Sequence, residues 1–437
     1  MLSQQKTIDQ LLERIHFLIN GRSSKTSGTP PSQDIGRSNA KSLRPKSDKP
    51  SGGQVGHIGK TLEMSKTPDK IEHHMPTYCT SCGMSLEEEQ AKLIRRSQEV
   101  ELPPIQPIYT EHRSYKKTCS CCNLETTSEL PSHLKSIIQY GPSVASAVCY
   151  LSTYQYLPYY RITDLMDNFF GLPMSQGTVR NQLTSMSEKA TPIYDLIGQR
   201  IGKSKVIGSD ETGSKISEKK GWFFVWQTES LTYIKASFSR GYNTIMSAFP
   251  DGLPFSILVT DCWAAQLKTP SKEKQLCIAH LSRELINFQT AANCNWSGTF
   301  NNLLIEALLL KKQLKEFEYS SKNLKVIELE NRIDRLLEVD LTDSNSKIKA
   351  FAKRMKKHRK SILTFLYHHQ VPPDNNGSER AIRNIKVKNK VSGGFRSDKG
   401  ANQFAILRSV VDTAIKNGCN VFQAFLNIAQ SPILETE

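Results

Sequence analysis

Three acidic residues lie where metal-dependent chemistry is expected from the sequence alone. Asp210 and Asp261 each stand at the end of a predicted strand, in the segments KVIGSDETGSKI and FSILVTDCW. If these strands are neighbours in a sheet, the two carboxylates project side by side, and adjacent like charges are costly unless cations hold them together. Carboxylate oxygens suit Mg²⁺ or Mn²⁺. Two such ions can activate an attacking oxygen and stabilise a leaving oxygen.

Glu379 supplies a third carboxylate, in the first turn of a helix predicted from Ser378 to Lys390. The helix follows good N-cap residues at Asp374-Asn375-Asn376 and ends at the Gly393-Gly394 pair. A carboxylate at the head of a basic helix suits a divalent cation held against a phosphate chain. Six basic residues that follow Glu379 are predicted to hold a DNA backbone: Arg380, Arg383, Lys386, Lys388, Lys390 and Arg396.

Simpler interpretations of the acids remain open. Glu379 and Arg383 have i, i+4 spacing, which also fits an ordinary pair on a helix surface. Asp210, Asp261 and Glu379 also fit three unrelated surface acids, although the strand ends and the basic surroundings favour a common site. Neighbouring residues on a strand point to opposite faces, so only one of Asp210 and Glu211 can enter that site. We take Asp210 as the site residue and Glu211 as its neighbour on the other face.

Two cysteine pairs predict a structural zinc site. Each pair has the CxxC spacing that lets two thiolates converge on one tetrahedral Zn²⁺, and Gly83 suits the tight turn after the first pair. Cys121 is an extra thiol in the second pair, so the fourth ligand is ambiguous. The predicted ligands are Cys79, Cys82, Cys119 and Cys122. Three histidines are possible substitutes, although solvated loop positions fit them better: His57, His73 and His74.

The charge of the chain is unevenly distributed. Lys and Arg outnumber Asp and Glu by 58 to 42 in 437 residues, a net charge of +16. Residues 350–400 hold thirteen basic and three acidic residues, and residues 22–60 hold eight and two. Two separated basic zones favour a long polyanion such as DNA as the partner. A membrane partner is not expected, because no amphipathic or apolar anchor accompanies either zone.

The sequence predicts a cytoplasmic protein. No apolar run is long enough to span a bilayer, and the N-terminus lacks the apolar core and cleavage site of a signal peptide. The ten cysteines are therefore expected as reduced thiols or metal ligands.

Composition and periodicity divide the chain into six segments. The segments are a short amphipathic helix at 1–20, a basic flexible linker at 21–65, a zinc-binding region at 66–130, a helical region at 131–200, a catalytic domain at 201–400 with a helical insertion at about 295–370, and closing helices at 401–437. The helix at 1–20 should pack on a partner or on a second copy, unless it is a frayed terminus. The linker at 21–65 is either a DNA arm or a tether.

Two of these segments carry further predictions. The zinc-binding region contains two probable strands, SQEVELPPI and PIYTEHRSYKKT. In the helical region, Ser175 is predicted to cap a short polar helix that bears Thr178, Arg180 and Asn181. With the helix before it, this helix forms either a DNA-contacting helix-turn-helix or a plain helical connector.

The catalytic domain begins with an ordered set of strand signals. Three antiparallel strands, a short helix, a buried fourth strand and a fifth strand, KQLCIAH, predict a ribonuclease-H-like α/β fold. His280 and Arg283 follow the fifth strand. They are candidates for phosphate contacts, and His280 fits a structural role equally well.

Several sequence blocks, taken in order, resemble the insertion sequence 66 family of transposases. They are KPSGGQVGHIGKTL, the paired CxxC region, QYGPSV…YLPYYR, GSDET, VTDCWAA, CIAHLSREL, PPDNNGSERAIR and KVSGGFRS. The resemblance covers nearly the whole chain and implies a DDE transposase with a ribonuclease-H-like catalytic domain and a zinc-binding region. The family's catalytic acids carry over to Asp210, Asp261 and Glu379. The N-terminal helical segment is shorter than is usual in the family, and Cys121 is an additional thiol.

The resemblance therefore implies an enzyme that cuts DNA at the ends of an insertion element and joins those ends to target DNA. It implies Mg²⁺ or Mn²⁺ at the three acids, structural Zn²⁺ at the cysteines, and a homo-oligomer assembled on DNA. Two alternatives stay open: a catalytically silent, transposase-derived DNA-binding protein, and a nuclease of the same fold that hydrolyses DNA without joining it.

Overall fold

A computed structural model describes Gly56 and residues 62–103, 105–292, 294–320 and 323–431. The predicted N-terminal helix at 1–20 and nearly all of the linker at 21–65 lie outside these residues. The described chain falls into a small compact unit that ends at Gln106 and a large one that begins at Pro107. Within the described ranges, no helix has both the length and the apolar character needed to cross a membrane.

The predicted strand SQEVELPPI is wrong. The described residues of this segment, 97–103 and 105, have no regular secondary structure and lie largely exposed. A strand needs a partner for its ladder of hydrogen bonds, and a proline such as Pro103 cannot donate to one. The local structure of the small unit is instead the bridge between Tyr78 and Ser85, which closes a tight turn.

The second predicted strand of the zinc-binding region is correct only at its end. Of PIYTEHRSYKKT, Lys116–Thr118 forms strand β1, which pairs with β2 (Glu125–Thr127) in an antiparallel hairpin. The residues between Pro107 and Tyr115 stay irregular.

The helical region at 131–200 contains three helices. They are α1 (Pro142–Cys149), α2 (Tyr159–Phe170) and α3 (Gln176–Gly202), and a π-helical turn at Tyr150–Tyr154 follows α1. The Ser175 side chain caps α3 by accepting the N–H of Thr178, as predicted. The helix is not short, however, because it extends over 27 residues. Its buried residues pack along this length, and that tertiary packing compensates for its polar start.

A five-stranded mixed sheet forms the centre of the large unit. Its strands are β3 (Val206–Ile216), β4 (Lys219–Gln227), β5 (Thr232–Ser237), β6 (Leu253–Thr260) and β7 (Ser271–Leu276). The strand order is β5-β4-β3-β6-β7. Strands β3, β4 and β5 are antiparallel, whereas β6 and β7 join in parallel. The first four predicted strands are present, and β3 and β6 are neighbours. The predicted fifth strand KQLCIAH is correct only over its first three residues, because β7 ends at Leu276 and Ile278 begins α6.

The helices that follow surround this sheet. They are α4 (Tyr242–Ala248), α5 (Ala264–Lys268), α6 (Ile278–Ala292), α7 (Asn295–Gln313), α8 (Leu324–Leu337), α9 (Ser346–Lys357), α10 (Asn376–Ser392), α11 (Asp398–Lys416) and α12 (Val421–Gln430). The insertion predicted at 295–370 is helical in its described part and contains no strand there. The predicted helix of Glu379 is α10, and its C-terminal break is Gly393 in the left-handed conformation.

The sheet is covered on both faces, because both faces carry apolar side chains. On one face, Phe223 and Val225 pack against Ile382 and Ile385 of α10 and against α11. On the other face, Phe224 and Trp226 pack with residues of α3, α4 and α5. The insertion forms its own core against β6 and β7, and helices α1–α3 form another with α11 and α12.

The start of α10 approaches β3 so closely that side chains are excluded. A Cβ atom on Gly208 of β3 would lie 2.8 Å from the side-chain oxygens of both Asn375 and Ser378. A Cβ atom on Gly377 would lie 2.4 Å from Nε2 of Gln227. Glycine at 208 therefore lets the start of α10 contact the strand that carries Asp210, and glycine at 377 leaves room for Gln227 of β4.

A buried ion pair connects the closing helix α11 with the helical region. Arg408 and Asp412 are paired and almost fully buried. Arg408 also donates to the carbonyl oxygen of Thr153 over 3.2 Å, and Asn384 of α10 donates to Asp412 over 3.4 Å. Because removal of one partner leaves a buried charge without compensation, the two residues are mutually dependent.

We expect Arg408→Met to lower the free energy of unfolding by about 3–5 kcal/mol, because the Asp412 carboxylate loses its buried partner. Urea denaturation followed by circular dichroism measures this loss. Arg332→Met is the matched control, since it removes only the exposed Arg332–Glu306 pair and should cost less than about 1 kcal/mol. Equal effects of the two substitutions would contradict the importance of the buried pair.

Candidate active site

Asp210 and Asp261 lie where the parallel pairing of β3 with β6 ends. The prediction that Asp210 ends its strand is wrong, because β3 continues to Ile216 in its pairing with β4. The ladder between β3 and β6 ends with Gly208 opposite Val259. Two residues further on each strand come Asp210 and Asp261, so the continued register sets these acids opposite each other. Each carboxylate accepts a local backbone N–H: Asp210 from Glu211 over 2.8 Å and Asp261 from Trp263 over 2.9 Å.

The Asp210 carboxyl lies in an environment that disfavours its charge. Burial, together with the negative charges of Asp261, Glu211 and Glu379, raises its pKa to about 8. The hydrogen bond from the Glu211 N–H opposes the rise. A nearby cation would favour the charged carboxylate and reverse this shift.

Glu379 lies in the first turn of α10, close enough for its charge to act on Asp210. Its carboxylate is held by basic residues: Arg283 lies at 3.2 Å, and His280 and Arg383 lie at 3.9 Å. His280 and Arg283 are thus at the site, in contact with an acid of the chain. The ring Nδ1 of His280 is buried and accepts or donates no hydrogen bond within the described residues.

Asn375 fixes Glu379 relative to Asp210. Its side-chain amide donates to the carbonyl oxygen of Ser209 over 2.7 Å, and its own carbonyl oxygen accepts from the Ser378 hydroxyl over 2.7 Å. Its backbone N–H points to the sulfur of Cys277 at 3.2 Å. Asn375 was expected only as a helix cap. The structure makes it a buried link between the start of α10 and the residue before Asp210.

Glu211, the neighbour of Asp210 in the sequence, is buried and held by two other side chains. Its side chain is 1% exposed and is paired with Arg240 over 2.7 Å. Gln266 donates to its other oxygen over 3.3 Å. Burial raises the pKa of Glu211, and the hydrogen bond from Arg240 opposes this rise. Nothing in the strand pattern pointed to Arg240 or Gln266, because only the fold brings them to Glu211.

The donor set fits hard divalent cations in type. Asp210, Asp261 and Glu379 offer carboxylate oxygens, the ligands that Mg²⁺ and Mn²⁺ prefer, and their mutual repulsion is the kind that a cation relieves. The three acids do not form a closed cluster, since no group of three or more His, Cys, Asp or Glu side chains in the described residues is arranged to hold a metal ion. Glu379 would have to exchange its basic partners for a metal ion.

An exposed basic stripe leads away from Glu379 along α10. Arg383, Lys386 and Lys390 follow Glu379 at intervals of four, three and four residues, which places them on one helical face, and all three are exposed. Arg380 and Arg396 are exposed as well.

Lys388 departs from the expected DNA-contacting set. It is only 8% exposed, and burial lowers its pKa to about 8. Its position on the inward face of α10, three residues after the buried Ile385, explains the difference.

The two cysteine pairs form the same local turn. The N–H of Cys79 donates to Met84 and that of Gly83 to Cys79, and the corresponding bonds of the second pair join Cys119 with Leu124 and with Asn123. Gly83 and Asn123 both have positive φ, 73° and 57°.

In both turns the first thiol lies near backbone N–H groups. The N–H of Cys82, followed by that of Ser81, lowers the pKa of Cys79, and the N–H of Cys122, followed by that of Cys121, lowers the pKa of Cys119. A lowered pKa favours the thiolate, which is the form that binds metals. Each turn is therefore suited to present sulfur ligands.

Comparisons with known proteins agree with this organisation. Residues 138–403 match the Transposase IS66 family, and residues 76–123 match the zinc-finger binding domain of transposase IS66. No curated protein matches the chain. The first match contains Asp210, Asp261 and Glu379, and the second contains both cysteine turns. Because the first match extends over more than half of the 437 residues, the chain belongs to the IS66 family of transposases.

Proposed function

We propose that this transposase cuts DNA at the ends of its element and joins those ends to target DNA in one metal-dependent site. The observation that carries this proposal is the placement of Asp210 and Asp261, each two residues beyond the last paired residues of the neighbouring strands β3 and β6. Glu379 is held near them by the contacts of Asn375. Hydrolysis of a phosphodiester would free a 3′-OH, and this 3′-OH would then attack the target strand.

We also propose a ribonuclease-H-like fold for the catalytic domain. Three antiparallel strands are followed by two parallel ones in the order β5-β4-β3-β6-β7, which supports this assignment. Asp261 lies just beyond the carboxyl end of β6, where ligands bind in open α/β sheets, and Asp210 lies within β3, two residues after the parallel pairing with β6 ends.

The three acids are proposed to hold Mg²⁺ or Mn²⁺, which supplies Lewis-acid stabilisation of the attacking and leaving oxygens when bound. Asp210 and Asp261 would share the ions, and Glu379 would complete the set. Arg283, at 3.2 Å from Glu379 and 46% exposed in its side chain, would turn to a DNA phosphate as the carboxylate exchanges partners. His280, next to it on α6, would orient the same phosphate.

The DNA backbone is proposed to follow the basic stripe of α10. From Glu379 to Lys390 the helix rises by about 16 Å, so one strand that leaves the acids meets Arg383, Lys386 and Lys390 in turn. Arg380 and Arg396 flank this stripe. Lys388 is not included, because it is buried.

A second basic surface lies on α9. The apolar face of this helix is buried in the insertion core, while Lys347, Lys353 and Lys357 are exposed on its other side. Opposite charge makes both basic helices suitable for a long polyanion. A homo-oligomer would bring two element ends together on such surfaces.

The cysteine turns are proposed to bind one structural Zn²⁺ through Cys79, Cys82, Cys119 and Cys122. The match to the family's zinc-finger binding domain supports zinc in this region. Cys121 takes the place that Ser81 has in the first turn, and both supply a backbone N–H to the first thiol. Cys122, the counterpart of Cys82, is therefore the proposed ligand, and Cys121 has a supporting role.

Conservative substitutions test the acids. Asp210→Asn, Asp261→Asn and Glu379→Gln each remove one charge with little change of shape. Loss of a metal ligand forfeits several kcal/mol of charge stabilisation, so cleavage should fall by roughly a hundredfold or more in each variant. DNA binding should persist. Gel assays of nicking and strand joining on the flanking DNA of the element, with Mg²⁺, measure both.

The control for this experiment is Glu218→Gln, in the exposed turn between β3 and β4, where the side chain is 86% exposed. This variant should cut DNA normally. If Asp210→Asn cuts normally while Glu211→Gln does not, the assignment of the two neighbours is inverted. Cleavage without joining in the wild type would identify a nuclease, and binding without cleavage a silent DNA-binding protein.

Salt dependence tests the basic stripe. Each phosphate neutralised contributes about −0.9 to the slope of log affinity against log salt. The double variant Lys386→Gln/Lys390→Gln should therefore flatten the slope by about 1.8. The control Lys312→Gln/Lys325→Gln changes two exposed lysines near the α7–α8 connection and should leave the slope unchanged. Fluorescence anisotropy with duplex DNA at several salt concentrations gives the slope for each protein. An equal slope for the wild type and Lys386→Gln/Lys390→Gln would exclude contact between these two lysines and DNA phosphates.

Metal analysis tests the cysteines. Purified protein should contain about one zinc ion per chain, and Cys79→Ser/Cys82→Ser should lose it because the site keeps only two thiolates. Cys121→Ser is the matched control and should retain the zinc. Atomic absorption measures the metal content, and full retention of zinc in the double variant would refute the assignment.

A further inference from the structure

We propose that Arg240 is a positioning residue that braces β3, on either side of Asp210, and the segment after β6 against the repulsion between Asp210 and Asp261. We define the Arg240 brace as Ser209, Glu211, Arg240, Trp263 and Gln266. The inference rests on the proposed function, since it concerns the geometry of the Asp210–Asp261 pair. It adds to that function a residue outside the acid set, contributed by the segment between β5 and α4.

The first half of the brace holds the residues on either side of Asp210. Glu211 accepts two hydrogen bonds from the Arg240 guanidinium, over 2.7 and 3.0 Å. Its second oxygen accepts from Gln266 over 3.3 Å, and the carbonyl oxygen of Gln266 accepts from the Ser209 hydroxyl over 2.7 Å. Ser209 and Glu211 are therefore both tied to α5, the helix that follows Asp261.

The second half of the brace reaches the residue that holds Asp261. The guanidinium carbon of Arg240 lies 3.6 Å from the ring centroid of Trp263 and 4.6 Å from that of Trp222. The backbone N–H of Trp263 donates to Asp261 over 2.9 Å. Arg240 thus lies against the side chain of the residue whose N–H orients the carboxylate.

The chemistry of the brace requires arginine. A guanidinium donates hydrogen bonds in its plane and makes cation–π contacts with aromatic rings above and below that plane. One Arg240 side chain can therefore bind Glu211 and contact both indole rings. An ammonium group can pair with Glu211 but cannot make the planar contacts. The Glu211 charge is buried, so its pair with Arg240 is weakly screened and holds a defined geometry.

The placement of the brace explains what it does. Once Asp210 is ionised, its charge and that of Asp261 favour separation of the two carboxylates. Hydrogen bonds and ring contacts that join residues 209 and 211 to residues 263 and 266 oppose this separation. The two carboxylates are therefore held ready for metal ions before any ion binds, and less binding free energy is spent on ordering the site.

The test is the metal dependence of cleavage by the full-length protein. Removal of groups that orient metal ligands typically weakens metal binding by about 10–100-fold. Arg240→Ala should raise the half-saturating Mg²⁺ concentration by that factor, and Arg240→Lys should give an intermediate shift. The control Arg332→Ala, which removes an exposed ion pair, should give the wild-type value. A lower rate at saturating Mg²⁺ with an unchanged half-saturation point would overturn the proposal.

A second readout needs neither DNA nor cleavage. Trp263 is one of four tryptophans, so its emission should change when Mg²⁺ or Mn²⁺ binds beside it, and Trp263→Phe should abolish this change. The midpoint of the titration should shift to higher metal concentration in Arg240→Ala and not in Arg332→Ala. Equal midpoints would refute the brace.

The two readouts separate the brace from the proposed function. If the wild-type protein fails to cut DNA but the midpoint of Arg240→Ala is still shifted relative to it, the proposed function is refuted and the brace is kept. If the emission of the wild-type protein does not change on metal addition, the inferred coupling between the metal site and Trp263 is refuted. Melting temperatures of all variants identify any loss of folding, and Arg240→Lys, which keeps the charge beside Glu211, supplies the test if Arg240→Ala does not fold.

Discussion

The parallel pairing of β3 with β6 is the constraint on which the rest of the large unit depends. It brings two carboxylates to the point where this pairing ends, and there burial and like charge both oppose ionisation. A fold that was selected for stability alone would not gain from such a pair. The arrangement is understandable if the free energy lost by placing two buried acids together is recovered when cations and a phosphate backbone bind there.

The surroundings of the acids meet this constraint by connecting separate parts of the chain. Asn375 joins the start of α10 to Ser209, and the glycines at 208 and 377 allow the helix to approach β3 and β4. Arg240 and Gln266 join the other side of β3 to α5. Each link ends on a residue adjacent to an acid and leaves the acid itself free for a ligand. Such indirect support is what orients metal ligands in proteins.

The electrostatic layout continues outward from this site. Glu379 is surrounded by Arg283, His280 and Arg383, and the stripe on α10 extends the positive surface. Acidic side chains lie at the centre of this surface and basic side chains lie around them. This layout fits a polyanion whose backbone can pass over the acids only when metal ions are bound there. The buried Arg408–Asp412 pair and the apolar clusters on both sheet faces keep this site in place.

The sequence by itself determined the order of the sheet strands and of the helix that carries Glu379, and it singled out the three acids that we propose as the metal-binding set. Alternating and apolar runs locate strands because side chains alternate along a strand. They located β3, β4, β5 and β6, and the second half of β7. The tight turn after Cys82 was also readable from Gly83. Periodicity overestimated strands in 97–115, because a strand pattern without a partner strand does not form a sheet, and in KQLCIAH, whose last residues begin α6.

Tertiary structure alone decided which residues support the acids. Arg240 meets Glu211 across 29 positions, and Asn375 meets Ser209 across 166, distances over which no local pattern carries information. The same is true of Lys388: charge alone groups it with Lys386 and Lys390, but the helix turns it inward against the sheet. Local sequence fixes what a side chain is and which element carries it, whereas packing fixes what that side chain contacts.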